Sequence, residues 1–170
     1  MTGVQTCALP ISAAAAGDVL WFVHADSRVD PDATADLEQA FDRRQRVWAR
    51  FGVRLSGQRP LFRTIAALMN LRSCVTGIAT GDQAVAVTRA AFDRVGGFPA
   101  LPLMEDVALA RLLRRRQRPA CLPVRITTSS RRWEHHGPWR TIWLMWSLRF
   151  AFWRGVDPDR LARRYRGGAL

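Results

Sequence analysis

The 170-residue chain has no lysine; its 26 basic residues are all arginine, against 14 acidic ones. Asparagine occurs once, at Asn70. That bias, with abundant alanine, reads as a GC-rich coding sequence as much as selection for charge. The formal charge of +12 is therefore weak ground for a nucleic-acid partner. Zinc-finger, RNP-like and helix-turn-helix patterns are missing, so nucleic acid is not expected. The three cysteines, Cys7, Cys74 and Cys121, form neither a CxxC pair nor a disulfide framework, and a reducing cytoplasm is the default expectation. The densest apolar stretch, residues 139–153, is shorter than the ~20 residues a spanning helix needs and carries Arg140 and Arg149. No internal repeat is visible, and 48% hydrophobic content suffices for one domain with a core.

Residues 1–12 lack the basic start and apolar centre of a signal peptide. Back-translated, they resemble a sequencing-library adaptor, with a GTG codon supplying Met1. The native chain is then expected to be entered near Ser12 or Ala13, at the end of a helix stopped by Gly17. Residues 19–23, VLWFV, are apolar without alternation, which predicts a parallel strand covered on both faces. His24 and Asp26 follow at its carboxyl end, where open α/β sheets bind ligands; a turn-capping aspartate is the plainer alternative. Asp30 and Pro31 are expected to start a helix that buries Ala33, Leu37, Ala40 and Phe41. Alternation over residues 47–55 predicts an edge strand with Trp48, Arg50 and Arg54 on its open face. Pro60 leads into an amphipathic helix over 61–71, with Phe62, Ile65, Ala66 and Met69 inward.

The stretch 81–106 carries most of the signal. A polar turn, Gly81-Asp82-Gln83, precedes an apolar strand over 84–87. Thr88 suits the N-cap of a short helix over 89–95, and Gly96-Gly97 ends it. After Phe98-Pro99, the pair Glu105-Asp106 opens a helix that repeats Leu109, Leu112 and Leu113 at helical spacing. Charge compensation of the helix dipole would explain the acidic pair by itself. Residues 120–128 alternate as a further strand and lead to Arg131, Arg132 and Trp133. These three read either as ligand-facing groups or as surface arginines beside a packed tryptophan. Residues 139–153, bounded by Trp139 and Trp153, suit a packed helix or an interfacial one, with tryptophans at headgroup depth and arginines snorkelling. Asp157-Pro158 caps a small basic helix.

In this combination, the chain from Ala13 to Arg166 resembles the later part of a bacterial family 2 glycosyltransferase of GT-A fold, nearest the subgroup associated with arsenosugar biosynthesis. The resemblance implies an α/β, Rossmann-like domain over 13–138, incomplete at its N-terminus, and a helical aromatic and basic segment over 139–170. It implies sugar transfer from a nucleotide-sugar donor to a hydroxyl acceptor. Asp106 would be the general base and Glu105 its support. Asp26, with His24 standing where the family's DxD element has its first aspartate, would hold a divalent metal (Mg or Mn). Gly81, Asp82 and Gln83 would line the acceptor site, and Arg131, Arg132 and Trp133 would cover the donor diphosphate or the acceptor. The motif around Trp133 departs from the Gln-x-x-Arg-Trp of processive synthases, which speaks against that subgroup. By the same resemblance the donor's nucleobase site lies upstream of Ala13, so this chain is expected to be poorly soluble and inactive alone. Its expected location is cytoplasmic, with peripheral contact at the inner membrane face through residues 139–153. A different class of reading is a basic, tryptophan-rich module that binds anionic membrane or nucleic acid without catalysis.

Overall fold

A computed structural model describes residues 12–43 and 45–167. Nearly all of the adaptor-like segment, Cys7 with it, and the last three residues lie outside them. The architecture is mixed α/β. Four strands, β1 (Val19–Phe22), β2 (Trp48–Leu55), β3 (Val85–Thr88) and β4 (Ala120–Thr128), form one sheet in the order β1-β3-β2-β4. The helices are α1 (Ala33–Glu38), α2 (Pro60–Thr76), α3 (Arg89–Arg94), α4 (Glu105–Arg114), α5 (Arg131–His136), α6 (Pro138–Trp153) and α7 (Pro158–Gly167). A five-residue π turn continues α1, and a 3-10 turn covers Gly81–Gln83.

Two strand expectations are corrected. β1 pairs with β3 antiparallel, not parallel, and borders the described sheet. Its unbroken apolar run reported burial on two faces instead of pairing direction. Leu20 and Phe22 join the core with Phe92 and Leu109, while Trp21 stacks on Phe51 across the sheet. β2 is not an edge strand; it lies between β3, antiparallel, and β4, parallel. Its supposedly open face is closed at Trp48 and Arg50, while Arg54 is exposed as expected. Trp48 is buried and donates Nε1–H to the Gln117 carbonyl at 2.7 Å. Arg50 is buried too, its guanidinium donating to the Phe51 and Asn70 carbonyls, each at 3.1 Å.

Proline placement explains why β4 takes the border. The register of β2 on β4 shifts between Arg50↔Cys121 and Gly52↔Arg125, so extra residues of β4 loop out around Pro123. A proline has no N–H for the ladder and is tolerated at such an edge irregularity. At the same bulge, a β-carbon on Gly52 would lie 3.1 Å from the Arg125 Cγ. Asn70 of α2 reaches this point and pairs with Val53 as a strand would. Val53 N–H donates to its Oδ1 at 2.8 Å, and its Nδ2 donates to the Val53 carbonyl at 3.0 Å.

The helix starts follow local chemistry. Thr88 Oγ1 accepts from Ala91 N–H, and Gly96 and Gly97 adopt positive φ after α3, as expected. α1 begins two residues later than Asp30-Pro31 suggested, because the Asp30 carboxylate instead turns the chain by accepting from Asp32 N–H. α2 runs on to Thr76, where Gly77 stops it in the left-handed conformation. Cys74 near its end and Cys121 of β4 are joined as a disulfide, correcting the expectation of unpaired cysteines. Their separation of 47 residues has no local signature; only the packing of α2 across the sheet brings them together. Asp157 Oδ1 caps α7 through Asp159 N–H, as expected.

Leu109 and Leu113 fix α4 beneath the sheet, and both are fully buried, each burial stabilising by ~1.5–3 kcal/mol. Val107 of α4 meets Leu148 of α6 and Leu161 of α7 in a further cluster. The C-terminal helices are thereby seated on the helix that begins with Glu105 and Asp106. Among the described residues, no helix is long and apolar enough to cross a membrane.

Candidate active site

Asp106 is held in the first turn of α4 by its own backbone and by the polar turn before β3. Oδ1 accepts from Val107 N–H at 2.7 Å, and Oδ2 accepts from Gly81 N–H at 2.6 Å. The turn that presents Gly81 is anchored from below. Gln83, wholly buried, donates Nε2–H to Ser73 Oγ at 2.7 Å and to Asn70 Oδ1 at 3.4 Å. Ala84 after the turn and Met104 before α4 both carry positive φ without being glycine. Such strain persists only where surrounding structure enforces it, and it gathers at functional sites.

Gly81 marks the meeting point. A β-carbon there would lie 3.7 Å from Asp106 Oδ2 and 3.8 Å from His24 Cδ2. His24 in turn places Nδ1 2.8 Å from Asp26 Oδ1, with both side chains about half exposed. Thr128 Oγ1 lies 3.4 Å from the same carboxylate oxygen. The loop after β1 and the loop before β3 therefore bring His24, Asp26, Gly81 and Asp106 to one end of the sheet.

Asp82 and Glu105 flank this group. Both carboxyl pKa values are raised, chiefly by burial and then by the charge of Asp106. Two arginines face it from the helices behind. Burial lowers Arg149 of α6, opposed by attraction to Asp106 and Asp82. Arg72 of α2 is lowered to about 10 by burial and by Arg149. Sequence reasoning placed neither in the site, because nothing local to 72 or 149 marks a residue 34 or more positions from Asp106.

Beside Asp26 a cleft of about 800 Å³ opens, lined by Arg28, Ser56, Ser129, Arg131, Arg132, His135 and His136 among others. Arg131 and Arg132, both singled out in the sequence, line this cleft. Trp133 does not line the cleft; it packs against Leu55, Phe62 and Ile65. Gln83 is turned into the interior and does not line the cleft. Arg132 is itself engaged, its guanidinium stacked 4.1 Å from the Tyr165 ring centroid and hydrogen-bonded to that hydroxyl. His135 and His136 were missed, although an unbroken Arg-Arg-Trp-Glu-His-His run on one short helix was the available signal.

No group of three or more His, Cys, Asp or Glu side chains converges on a metal position among the described residues. A hard cation such as Mg²⁺ needs fewer protein ligands when substrate phosphates and water complete its shell. Asp26, half exposed at a strand end with His24 beside it and an arginine-lined cleft next to it, fits that kind of site. No protein-family model, no curated protein and no solved structure matches the chain.

Proposed function

We propose that the chain belongs to a GT-A-type glycosyltransferase that moves a sugar from a nucleotide-sugar donor to a hydroxyl acceptor. One observation carries the reading: the Asp106 carboxylate and the His24 ring, which is hydrogen-bonded to Asp26, both lie within contact distance of a β-carbon at Gly81. A base and a diphosphate-side carboxylate must flank one reacting carbon in such a transfer. Asp106 takes the acceptor proton as the acceptor oxygen bonds to the anomeric carbon and the bond from that carbon to the phosphate oxygen breaks. Asp26, with His24, would hold a divalent cation, which supplies positive charge to the leaving diphosphate. Arg131 and the cleft beside it meet the departing charge from the protein side. Glu105 supports the base electrostatically, and Asp82 shares the acceptor end with Arg149.

The test separates the two carboxylates. Mn²⁺ and inorganic pyrophosphate are titrated by electron paramagnetic resonance, and release of nucleoside diphosphate from a panel of nucleotide sugars is followed in the protein expressed from its own gene. Asp26→Asn is expected to lose the pyrophosphate-dependent Mn²⁺ signal. Asp106→Asn is expected to keep that signal and lose transfer by about 10²-fold or more. Unaltered Mn²⁺ binding in the first variant, or near-native transfer in the second, refutes the assignment.

A further inference from the structure

Helix α6 has two faces of opposite fate. Leu144, Met145, Leu148 and Phe152 pack towards α4 and α7. Trp139, Trp143, Trp146, Phe150 and Trp153 point away and are 61–73% exposed. At 3.6 residues per turn these five fall within an arc of about 80°. No charged residue interrupts that arc. On neighbouring α2, which Ile142 of α6 joins to Phe62 and Ile65, Leu68, Leu71 and Val75 recur at helical spacing and are 60–64% exposed. An uninterrupted apolar stripe such as that of α6 marks an interaction site, not ordinary surface.

We infer that the outward face of α6 docks the protein in plane on an anionic lipid bilayer. Charge complementarity selects this occupant. Residues 138–167 carry seven arginines against two acidic residues, Asp157 and Asp159. Of these, Arg160, Arg163, Arg164 and Arg166 are exposed on α7, which packs on the opposite face of α6. Arg154, at the end of α6, is 6.0 Å from the Phe150 ring centroid. Tryptophans in a row with an arginine at their end, in a segment of net positive charge, suit the boundary between acyl chains and anionic headgroups. A single-strand nucleic-acid groove instead interleaves rings with phosphate-binding cations. No described helix can span, so the contact is peripheral. Arg149 lies on α6 and is attracted to Asp106, so the docking helix is electrostatically linked to the proposed base. The inference does not depend on the transferase reading, since partitioning requires no turnover.

Purified protein is sedimented with phosphatidylglycerol vesicles, with phosphatidylcholine vesicles and with a single-stranded oligonucleotide, in parallel with sedimentation velocity without lipid. Expected are partition into phosphatidylglycerol over phosphatidylcholine, a blue shift of tryptophan fluorescence, and quenching by brominated acyl chains. The pair Trp143→Ser with Trp146→Ser is expected to reduce partition by about tenfold or more, with an unchanged thermal melt because neither ring is in the core. Should that variant misfold, quenching of the unaltered chain by brominated lipid remains as a test without mutation. Absence of partition and quenching, undiminished partition in a folded double variant, or tighter binding to the oligonucleotide overturns the inference. So does lipid-free self-association that the double variant abolishes, which would make this face an interface between copies.

Discussion

Replacing Asn70, the one asparagine in the chain, tests how the fold delivers the site. Its side chain exchanges two hydrogen bonds with the backbone of Val53, at 2.8 and 3.0 Å, and accepts a longer one from Gln83. Val53 is 1% exposed, so water cannot replace what is lost. In Asn70→Leu two buried backbone groups lose a partner at ~1–3 kcal/mol each. Both groups point away from β4, which therefore cannot replace the amide, and a loss of about 2–6 kcal/mol is expected. For a domain of this size that corresponds to a fall in Tm of ~4–24 °C. Asn70→Asp should be worse at neutral pH: it keeps the acceptor for Val53 N–H but turns a carboxylate oxygen towards the Val53 carbonyl. Urea unfolding followed by circular dichroism measures both, with an unchanged m value showing that only stability moved. A loss below about 0.5 kcal/mol in Asn70→Leu, or a milder effect in Asn70→Asp, would refute the claim that this amide substitutes for a strand beside β2 where β3 no longer pairs with it.

Gly81→Ala separates function from folding: its new methyl would make only ordinary contacts with Asp106 and His24, so stability should change by less than ~1 kcal/mol while transfer falls sharply; an unaffected rate would move the reacting centre elsewhere. Asp82→Asn should stabilise the protein at neutral pH, because burial raises the native carboxyl pKa. A raised acid favours the folded state while protonated and loses that contribution as pH rises through the native value, so the gain should shrink as pH falls into the ordinary carboxylate range. Denaturation at several pH values checks this, and a constant difference would refute it. Cys74→Ser should cost about 4 kcal/mol on the chain-entropy account for a 47-residue separation; equal stability of variant and parent in the absence of reductant would contradict the pairing with Cys121.

Local chemistry was legible from residue order alone. The threonine cap of α3, its double-glycine stop, the acidic start of α4 and the aspartate cap of α7 each depend on a few neighbouring residues, and all formed as read. The expected inward stripe formed too, with Ala33 and Leu37 on α1 and Ala40 and Phe41 on the π turn that continues it. Side-chain periodicity, by contrast, reports which faces are covered but is silent about the strand alongside. The apolar run of β1 therefore suggested parallel pairing where β3 supplies an antiparallel neighbour, and the alternation of β2 concealed the burial of Trp48 and Arg50. Asp26, Asp106 and Gly81 were singled out by type and position, yet their convergence depends on two loops more than 50 residues apart meeting at one sheet end. Gln83 and Trp133, equally polar or aromatic in sequence, were drawn inward by Ser73 and by the Phe62 cluster. Arg72, Arg149 and the Cys74–Cys121 bond had no local mark at all, because each exists through contacts that only the packing of α2 and α6 on the sheet creates.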